Sequence, residues 1–195
     1  MSSHSQHLPL VYSVHRLLAG GRQLLGAGEA PVLVAQCIGD ALARHRVALH
    51  AAQTLPDRLS LMLTGTHEHA ADFLEDVYAS VAAELSSVVA GPVGWDDRVE
   101  LRTCFPDAAR LGSLVQLLAM PVLRGEIDRL DRWHLFHTWP ATVAPLNRGR
   151  RRRSRGVSVA PLPRYRRLSA PDMARRVRSG VQAIEREMSG TLEAA

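Results

Sequence analysis

Two pairs of histidines are the first residues of this sequence whose spacing raises the question of a metal site. His67 and His69 flank Glu68, but residues i and i+2 of a helix point about 200° apart, so the two rings cannot share one ion. His134 and His137 have a better helical spacing, yet a metal site needs further ligands, and we predict none here. We therefore predict no bound metal or other cofactor, and a solvated first helical turn at the first pair.

Arginines near the C-terminus give the strongest functional signal. Residues 148–195 carry 13 arginines against 4 acidic residues, whereas residues 1–147 carry 11 arginines against 15 acidic ones, and the chain contains no lysine. Each arginine that meets a phosphate releases condensed counterions, so this segment predicts salt-dependent binding to nucleic acid. An acidic protein surface, or a solvated tail that binds nothing specific, are the alternatives.

The predicted contacts lie within residues 147–167, which are rich in arginine, proline and glycine and show no hydrophobic periodicity. Such a composition favours an extended tail over a packed element. Tyr165 stands between two arginines, where it could stack on an unpaired base. The residues predicted to bind nucleic acid in this segment are Arg148, Arg150, Arg151, Arg152, Arg153, Arg155, Arg164, Tyr165, Arg166 and Arg167.

Length and composition indicate one folded domain with an appendage. A chain of 195 residues, 46% of them hydrophobic, can bury a substantial core. Cys37 and Cys104 lie far apart in apolar segments, which favours buried free thiols in a reducing compartment. No apolar run reaches the length of a membrane span, and the N-terminus has no signal-peptide pattern. We expect a cytoplasmic protein, associated with the nucleoid or free, with no membrane partner.

A β-hairpin over residues 47–65 is the centre of the predicted fold. Apolar residues alternate along both halves of this stretch, among them Leu49 and Ala51, and the polar turn at residues 55–58 joins the halves. Arg58 and Ser60 flank the turn on one face, where a functional site built on the hairpin would lie.

The remaining elements predict an α+β fold. Further strands are predicted at residues 8–17 and 98–105, and helices at residues 31–46, 67–89, 106–119 and 171–188, with Thr66 as an N-cap and Met120-Pro121 as a helix end. The order is that of a ferredoxin-like split β-α-β-β-α-β domain, a four-stranded antiparallel sheet with helices on one face, here followed by a basic C-terminal extension. We divide the chain into a disordered leader (1–7), this domain (8–138), the basic tail (139–168) and a short C-terminal helix (169–190).

The hairpin and three later motifs resemble the HUH single-tyrosine transposases, above all the REP-associated tyrosine transposase branch. Residues 55–60 (LPDRLS) lie where the family has Met-Pro-Asn-His-hydrophobic-His. Residues 94–98 (GWDDR) resemble its Leu-Trp-x-x-Arg, and residues 114–127 (LVQLLAMPVLRGEI) resemble its Tyr-Ile-x-x-Asn-Pro-Val-x-Ala-Gly-hydrophobic motif. Arg132-Trp133 lies where the family has a terminal tryptophan. The resemblance covers about residues 8–138 and implies the same ferredoxin-like fold.

The residues on which the family's chemistry depends are replaced in this chain. By the resemblance, the two metal-binding histidines fall on Arg58 and Ser60, and the tyrosine nucleophile falls on Gln116. An arginine can neutralise a phosphate but cannot hold Mg²⁺, and an amide is not a nucleophile. Tyr78 is an alternative nucleophile, but no metal site accompanies it and its neighbours place it beside the core. We therefore predict a catalytically inactive member that is not an enzyme.

We expect a transposase-derived protein that binds nucleic acid through the ferredoxin-like domain and the arginine-rich tail, and DNA is a more favoured ligand than structured RNA. In the domain, we predict that Arg58 lies in the place of the metal and contacts phosphate directly. A protein-interaction subunit that reuses the fold inside a larger complex is the main alternative. An active Mg²⁺-dependent single-strand DNA transposase or nuclease is the third. The tail and the last helix offer a surface for a protein partner. The resemblance also leaves a homodimer open, because insertion-sequence members are dimers while the REP-associated branch is monomeric.

Overall fold

The fold is built on one antiparallel sheet, and the computed structural model describes residues 9–89, 91–104, 107–143, 152–154, 157–162 and 170–193. The strands are β1 (Leu10–Leu18), β2 (Ala48–Leu55), β3 (Arg58–Gly65), β4 (Trp95–Thr103), β5 (Arg152–Ser154) and β6 (Val157–Val159). The helices are α1 (Ala30–Arg44), α2 (His67–Val88), α3 (Asp107–Leu123), α4 (Trp139–Val143) and α5 (Ala170–Glu193). The leader predicted at residues 1–7 lies outside the described residues.

The main sheet has the strand order β2-β3-β1-β4, and every neighbouring pair is antiparallel. With the element order β1-α1-β2-β3-α2-β4, this is the ferredoxin-like split β-α-β-β-α-β arrangement. The predicted α+β fold class is therefore confirmed. The hairpin of β2 and β3 forms one side of the sheet, with β2 at its edge, so its predicted place at the centre is wrong.

Helices α1 and α2 cover one face of the sheet, as predicted. Leu59, Leu61 and Leu63 of β3 face these helices, and the stripe from Phe73 to Leu85 on α2 is buried against them. Thr66 caps α2, because its side chain accepts a hydrogen bond from the His69 N–H at 3.3 Å.

Helices α3 and α5 cover the opposite face, for which the sequence predicted no helix layer. Met62 of β3 packs there with Leu118 of α3 and with Val177 and Val181 of α5. The C-terminal helix thus shares a hydrophobic core with the sheet instead of projecting from it.

A β-bulge at His50 interrupts the alternation predicted for β2. The register of β2 on β3 shifts between Leu49 and Ala51, so Leu49 packs towards α1 and α2 while Ala51 packs towards α3. The prediction that these two residues share a face is therefore wrong. The buried His50 ring lies 2.7 Å from the Thr64 hydroxyl and 2.9 Å from the Ala160 carbonyl oxygen.

Later segments of the chain cover the outer edge of β2. Thr138 donates its N–H to Ala52 O at 2.9 Å, and Ala160 donates its N–H to Leu49 O at 2.7 Å. Val157, Val159 and Leu162 are buried. The prediction of a tail that does not pack is therefore wrong for residues 157–162, because their apolar side chains are buried against the domain, with Val157–Val159 forming strand β6.

Helix α3 continues through Pro121 to Leu123, so the predicted helix end at Met120-Pro121 is wrong. Proline has no N–H, which leaves Leu117 O without its usual donor four residues later. The buried Gln53 side chain supplies this donor: with its amide nitrogen facing α3, it lies 3.0 Å from Leu117 O and 2.9 Å from Leu118 O. A polar residue of the sheet thus stabilises a helix that contains proline.

Strand β4 forms the other edge of the sheet and begins earlier than predicted. Every residue from Arg98 to Thr103 is exposed, including Val99 and Leu101. Both cysteines are buried free thiols, as predicted, and burial raises the pKa of Cys37 to about 11. None of the helices in the described part of the chain combines the length and apolarity that crossing a bilayer requires.

Candidate functional site

Three positions singled out from the sequence lie together in the structure. Arg58 of β3 and Gln116 of α3 line one cleft of about 150 Å³ between the sheet and α3. Ser60 lies beside this cleft, where it contacts His15 of β1. The polar lining residues are Ser13, His15, Arg58, Glu100, Arg102, Ser113 and Gln116.

The register of the sheet explains why these side chains converge. Strand β1 lies between β3 and β4, so His15 is opposite Ser60 on one side and Glu100 on the other. Ser13 is likewise opposite Arg102. Opposite residues of an antiparallel pair project to the same face, so all of them point towards α3.

His15 joins two serines across the floor of the cleft. Its Nδ1 lies 2.8 Å from the Ser60 hydroxyl, and its Nε2 lies 3.2 Å from the Ser13 hydroxyl. Burial lowers the pKa of His15, and Arg58 and Arg102 lower it further, against an opposing effect of Glu100. The ring is therefore neutral at pH 7, and one of its nitrogens donates a hydrogen bond while the other accepts one.

The cleft carries a net positive charge. Arg58 and Arg102 bring two positive charges, and Glu100 brings one negative charge. The Nε of Arg58 is buried and, within the part of the chain that the structure describes, has no hydrogen-bond partner. An unsatisfied buried donor costs free energy, and a guanidinium is well shaped to bind a phosphate or carboxylate. The arrangement is typical of an anion-binding site.

The cleft does not fit the metal ion that the family resemblance implies. Among the described residues that line it, His15 and Glu100 are the only groups of the usual metal-ligand types, and two guanidinium groups flank them. Across the described ranges, no three His, Cys, Asp or Glu side chains cluster in a way that could hold a metal ion. The side chains of the cleft are therefore suited to bind an anion through hydrogen bonds and charge, and not to hold a divalent cation.

Tyr78 lies on the other side of the sheet from the cleft. It is buried in the core formed with α1 and α2, as its neighbours in the sequence predicted, and burial raises the pKa of its hydroxyl. Trp95 donates its indole N–H to the Tyr78 carbonyl oxygen at 2.7 Å. The tryptophan of the GWDDR motif thus fixes the start of β4 against α2.

Most of the residues predicted to form the tail contacts lie outside the part of the chain that the structure describes. Arg152 and Arg153 lie in β5, where only the backbone is described. The other tail residues fall outside the described residues: Arg148, Arg150, Arg151, Arg155, Arg164, Tyr165, Arg166 and Arg167.

Sequence reasoning missed five polar residues of the cleft: Ser113 of α3, the pair Ser13 and His15 of β1, and the pair Glu100 and Arg102 of β4. Each pair alternates with apolar residues on its strand, so each strand carries a polar stripe on one face. This stripe was the available signal. Only the pairing of β1 with both β3 and β4 shows that the stripes meet.

Comparisons with known proteins identify the fold. No protein-family model matches the chain, and no curated protein matches it significantly. The structure of a REP-associated tyrosine transposase bound to a REP hairpin aligns with a TM-score of 0.60 and 14% identity, over 84% of this chain and 96% of that one. A proposed transposase from Deinococcus radiodurans R1 aligns with a TM-score of 0.44 and 18% identity, over 57% of this chain and 91% of that one. The resemblance to REP-associated tyrosine transposases inferred from the sequence is thus confirmed at the level of the fold.

Proposed function

We propose that this chain is a transposase-derived protein that binds DNA through the cleft between β1, β3, β4 and α3, without cutting it. The observation that carries the proposal is the convergence of Arg58 and Arg102 on one small cleft, with the buried Nε of Arg58 lacking a partner within the described ranges. We take the anion to be a backbone phosphate of DNA. The neighbour with a TM-score of 0.60 was solved with a REP hairpin, which supports nucleic acid as the ligand.

Binding without cleavage follows from the chemistry of the same residues. Arg58 and Arg102 can form charge-assisted hydrogen bonds to a phosphodiester, but neither can activate a nucleophile as a bound metal would. Gln116 offers an amide where the family has a tyrosine, and Ser60 is buried beneath His15. The arginine-rich tail adds long-range attraction to the phosphate backbone, and this attraction weakens as salt is raised.

The test compares single-charge variants in a fluorescence anisotropy titration against a labelled DNA hairpin and a single strand of the same composition. We expect Arg58→Gln and Arg102→Gln each to weaken binding about tenfold or more, because each removes a charged hydrogen-bond donor to phosphate. Arg44→Gln is the matched control: it removes the same charge from α1, on the opposite face of the sheet, where Arg44 pairs with Asp76.

Equal effects of the cleft variants and of Arg44→Gln would contradict the cleft as the binding site. Neutralising the arginines within residues 150–155 should remove several phosphate contacts and so lower the slope of binding affinity against salt concentration. The loss of affinity caused by Arg58→Gln and Arg102→Gln should stay the same. A covalent protein–DNA adduct formed with Mg²⁺ or Mn²⁺ would overturn the absence of cleavage. The same assay with RNA of the same sequence compares the two nucleic acids, and we expect weaker binding to RNA than to DNA.

Lowering the pH should strengthen DNA binding through His15. Burial holds the pKa of His15 below its ordinary value, so the ring is neutral at pH 7 and adds a third positive charge to the cleft when the pH falls below that pKa. Phosphodiesters do not titrate in this range, so the change reports on the protein. We expect affinity to rise more in the wild type than in His15→Gln as the pH is lowered from 7.5, consistent with one added charge near phosphate. Parallel pH profiles for the two proteins would contradict this role of His15.

A further inference from the structure

A groove between α2 and β4 has no part in the proposed function. It lies on the face of the sheet opposite the cleft and measures about 410 Å³, a volume typical of small-molecule sites. Its lining is mostly apolar, and Val99 in its wall is 44% exposed. The few polar groups on its walls therefore decide which class of ligand it fits.

Small side chains on α2 keep the groove open. Leu74, Tyr78 and Ala82 lie at intervals of four residues, which places them in a row on one side of the helix. Ala79 lies beside this row and also lines the groove. A larger residue at either alanine would fill space that is now open to a ligand.

Two aromatic rings give the groove a fixed wall. The Trp95 and Tyr78 rings pack edge to face with their centroids 4.9 Å apart, and the Trp95 indole N–H donates to Tyr78 O at 2.7 Å. Strand β4 is irregular here: Arg16 pairs with Val99 and Leu18 with Trp95, so two steps along β1 match four along β4. Such bulges re-aim side chains and are common next to functional sites.

Arg16 brings a positive charge to this apolar wall. Its guanidinium carbon lies 5.0 Å from the centroid of the Tyr78 ring, a cation–π distance. Its Nε donates to Asp96 O on the bulge at 3.1 Å, which fixes the side chain. Within the described ranges, this is the one hydrogen bond of the Arg16 guanidinium, so its terminal N–H groups are left for a ligand.

The Tyr78 hydroxyl is a second donor without a partner. Tyr78 is 3% exposed, and its hydroxyl makes no hydrogen bond in the part of the chain that the structure describes. A buried donor of this kind costs free energy unless a ligand satisfies it. Glu75 is the acidic residue that lines the groove, but it is exposed, so solvent screens its charge more than that of the half-buried Arg16.

We propose that this groove binds a small aromatic carboxylate. The flat ring would lie against Tyr78, Trp95 and Val99, and the carboxylate would pair with Arg16 and accept a hydrogen bond from the Tyr78 hydroxyl. A planar carboxylate matches the guanidinium fork, and aromatic walls favour an aromatic body. The proposal does not rest on DNA binding, because the cleft lies on the other face of the sheet.

Calorimetric titration of the full chain with three matched probes tests the charge requirement: 4-phenylbutyrate, its neutral amide 4-phenylbutyramide, and 4-phenylbutylamine. We expect the acid to bind about tenfold more tightly than the amide, and the amine to bind most weakly. Arg16→Gln should abolish the preference for the acid. Arg22→Gln is the matched control, since Arg22 also donates to a backbone carbonyl oxygen, that of Pro92, but does not line the groove.

A filled groove tests the location without changing any charge. Ala82→Leu should weaken binding of 4-phenylbutyrate at least tenfold, whereas Ala83→Leu, at the next and exposed position of α2, should bind it like the wild type. In an NMR titration of the wild type, the Trp95 indole N–H signal should shift. The Trp133 indole, which donates to Thr54 O in the core on the other face, should not.

Tyr78→Phe should stabilise the free protein in urea, because it removes an unsatisfied buried donor, and should weaken binding of the acid. Wild-type affinity in this variant would overturn the contact of the hydroxyl with the ligand. An acid that binds no better than the amide or the amine, or an Ala82→Leu variant that binds like the wild type, would overturn the proposal. None of these results depends on whether the chain binds DNA.

Discussion

Gly180→Ala is expected to lower the free energy of unfolding by about 1–3 kcal/mol, the usual cost of overpacking a core. Alanine is the better helix former by about 1 kcal/mol, so propensity alone predicts the opposite sign. Packing decides the outcome, because a Cβ at Gly180 would lie 2.9 Å from Cγ2 and 3.0 Å from Cγ1 of Val115 on α3. The Val115 side chain is β-branched and stiff, so α5 must move away from α3.

Urea denaturation of the full chain measures this effect, and a second background reverses it. In Val115→Ala the obstructing methyl groups are gone, so adding Gly180→Ala should stabilise the protein through helix propensity. Gly190→Ala on the same helix is the control, since nothing lies within 4 Å of its new Cβ. A stabilising Gly180→Ala in the wild-type background would show that α5 does not pack on α3 in the manner described.

Hydrophobic periodicity predicted the buried faces correctly for strands and helices that pack one face against a single hydrophobic core. The leucines of β3 and the stripe of α2 are of this kind, and both are buried as expected. The order of elements then left few topologies open, which is why the ferredoxin-like sheet was predicted correctly.

The errors lie where a distant residue decides the local structure. The bulge at His50 changes the face of the sheet on which the following residues of β2 lie. The His50 ring contacts the Thr64 hydroxyl and the carbonyl oxygen of Ala160, which is 110 residues away in the sequence. Residues 157–162 resemble a tail in sequence because arginines precede and follow them. Three of their apolar side chains, those of Val157, Val159 and Leu162, are nevertheless buried beside the edge of β2. Pattern reasoning over a short window has no access to such contacts.

Some residues of the candidate site could be predicted from the sequence, and others depend on tertiary structure. Arg58, Ser60 and Gln116 were found because the family resemblance marks their positions, and the structure brings them to one cleft. His15 and Arg102 were missed because their role depends on which strands neighbour β1 in the sheet. Strand order is a tertiary property, and a polar stripe on one strand does not reveal it.

Gln53→Met is expected to cost about 1–3 kcal/mol of unfolding free energy, the penalty for leaving a buried carbonyl oxygen without a donor. Gln53 is buried, and its amide reaches Leu117 O and Leu118 O on α3. Methionine keeps the length of the side chain and removes only the hydrogen bonds. Gln36→Met on the exposed side of α1 is the control and should stay within about 0.5 kcal/mol of the wild type.

Pro121 is the reason that this hydrogen bond matters, and a double-mutant cycle isolates it. Pro121→Ala restores a backbone N–H four residues after Leu117, so α3 can satisfy that carbonyl oxygen by itself. Gln53→Met should then cost less in the Pro121→Ala background, with a coupling energy of about 0.5–3 kcal/mol. The same cost in both backgrounds would show that Gln53 stabilises the protein through packing alone. Gln53 and Pro121 would then contribute to stability independently, although the Gln53 amide lies where it can replace the N–H that Pro121 lacks.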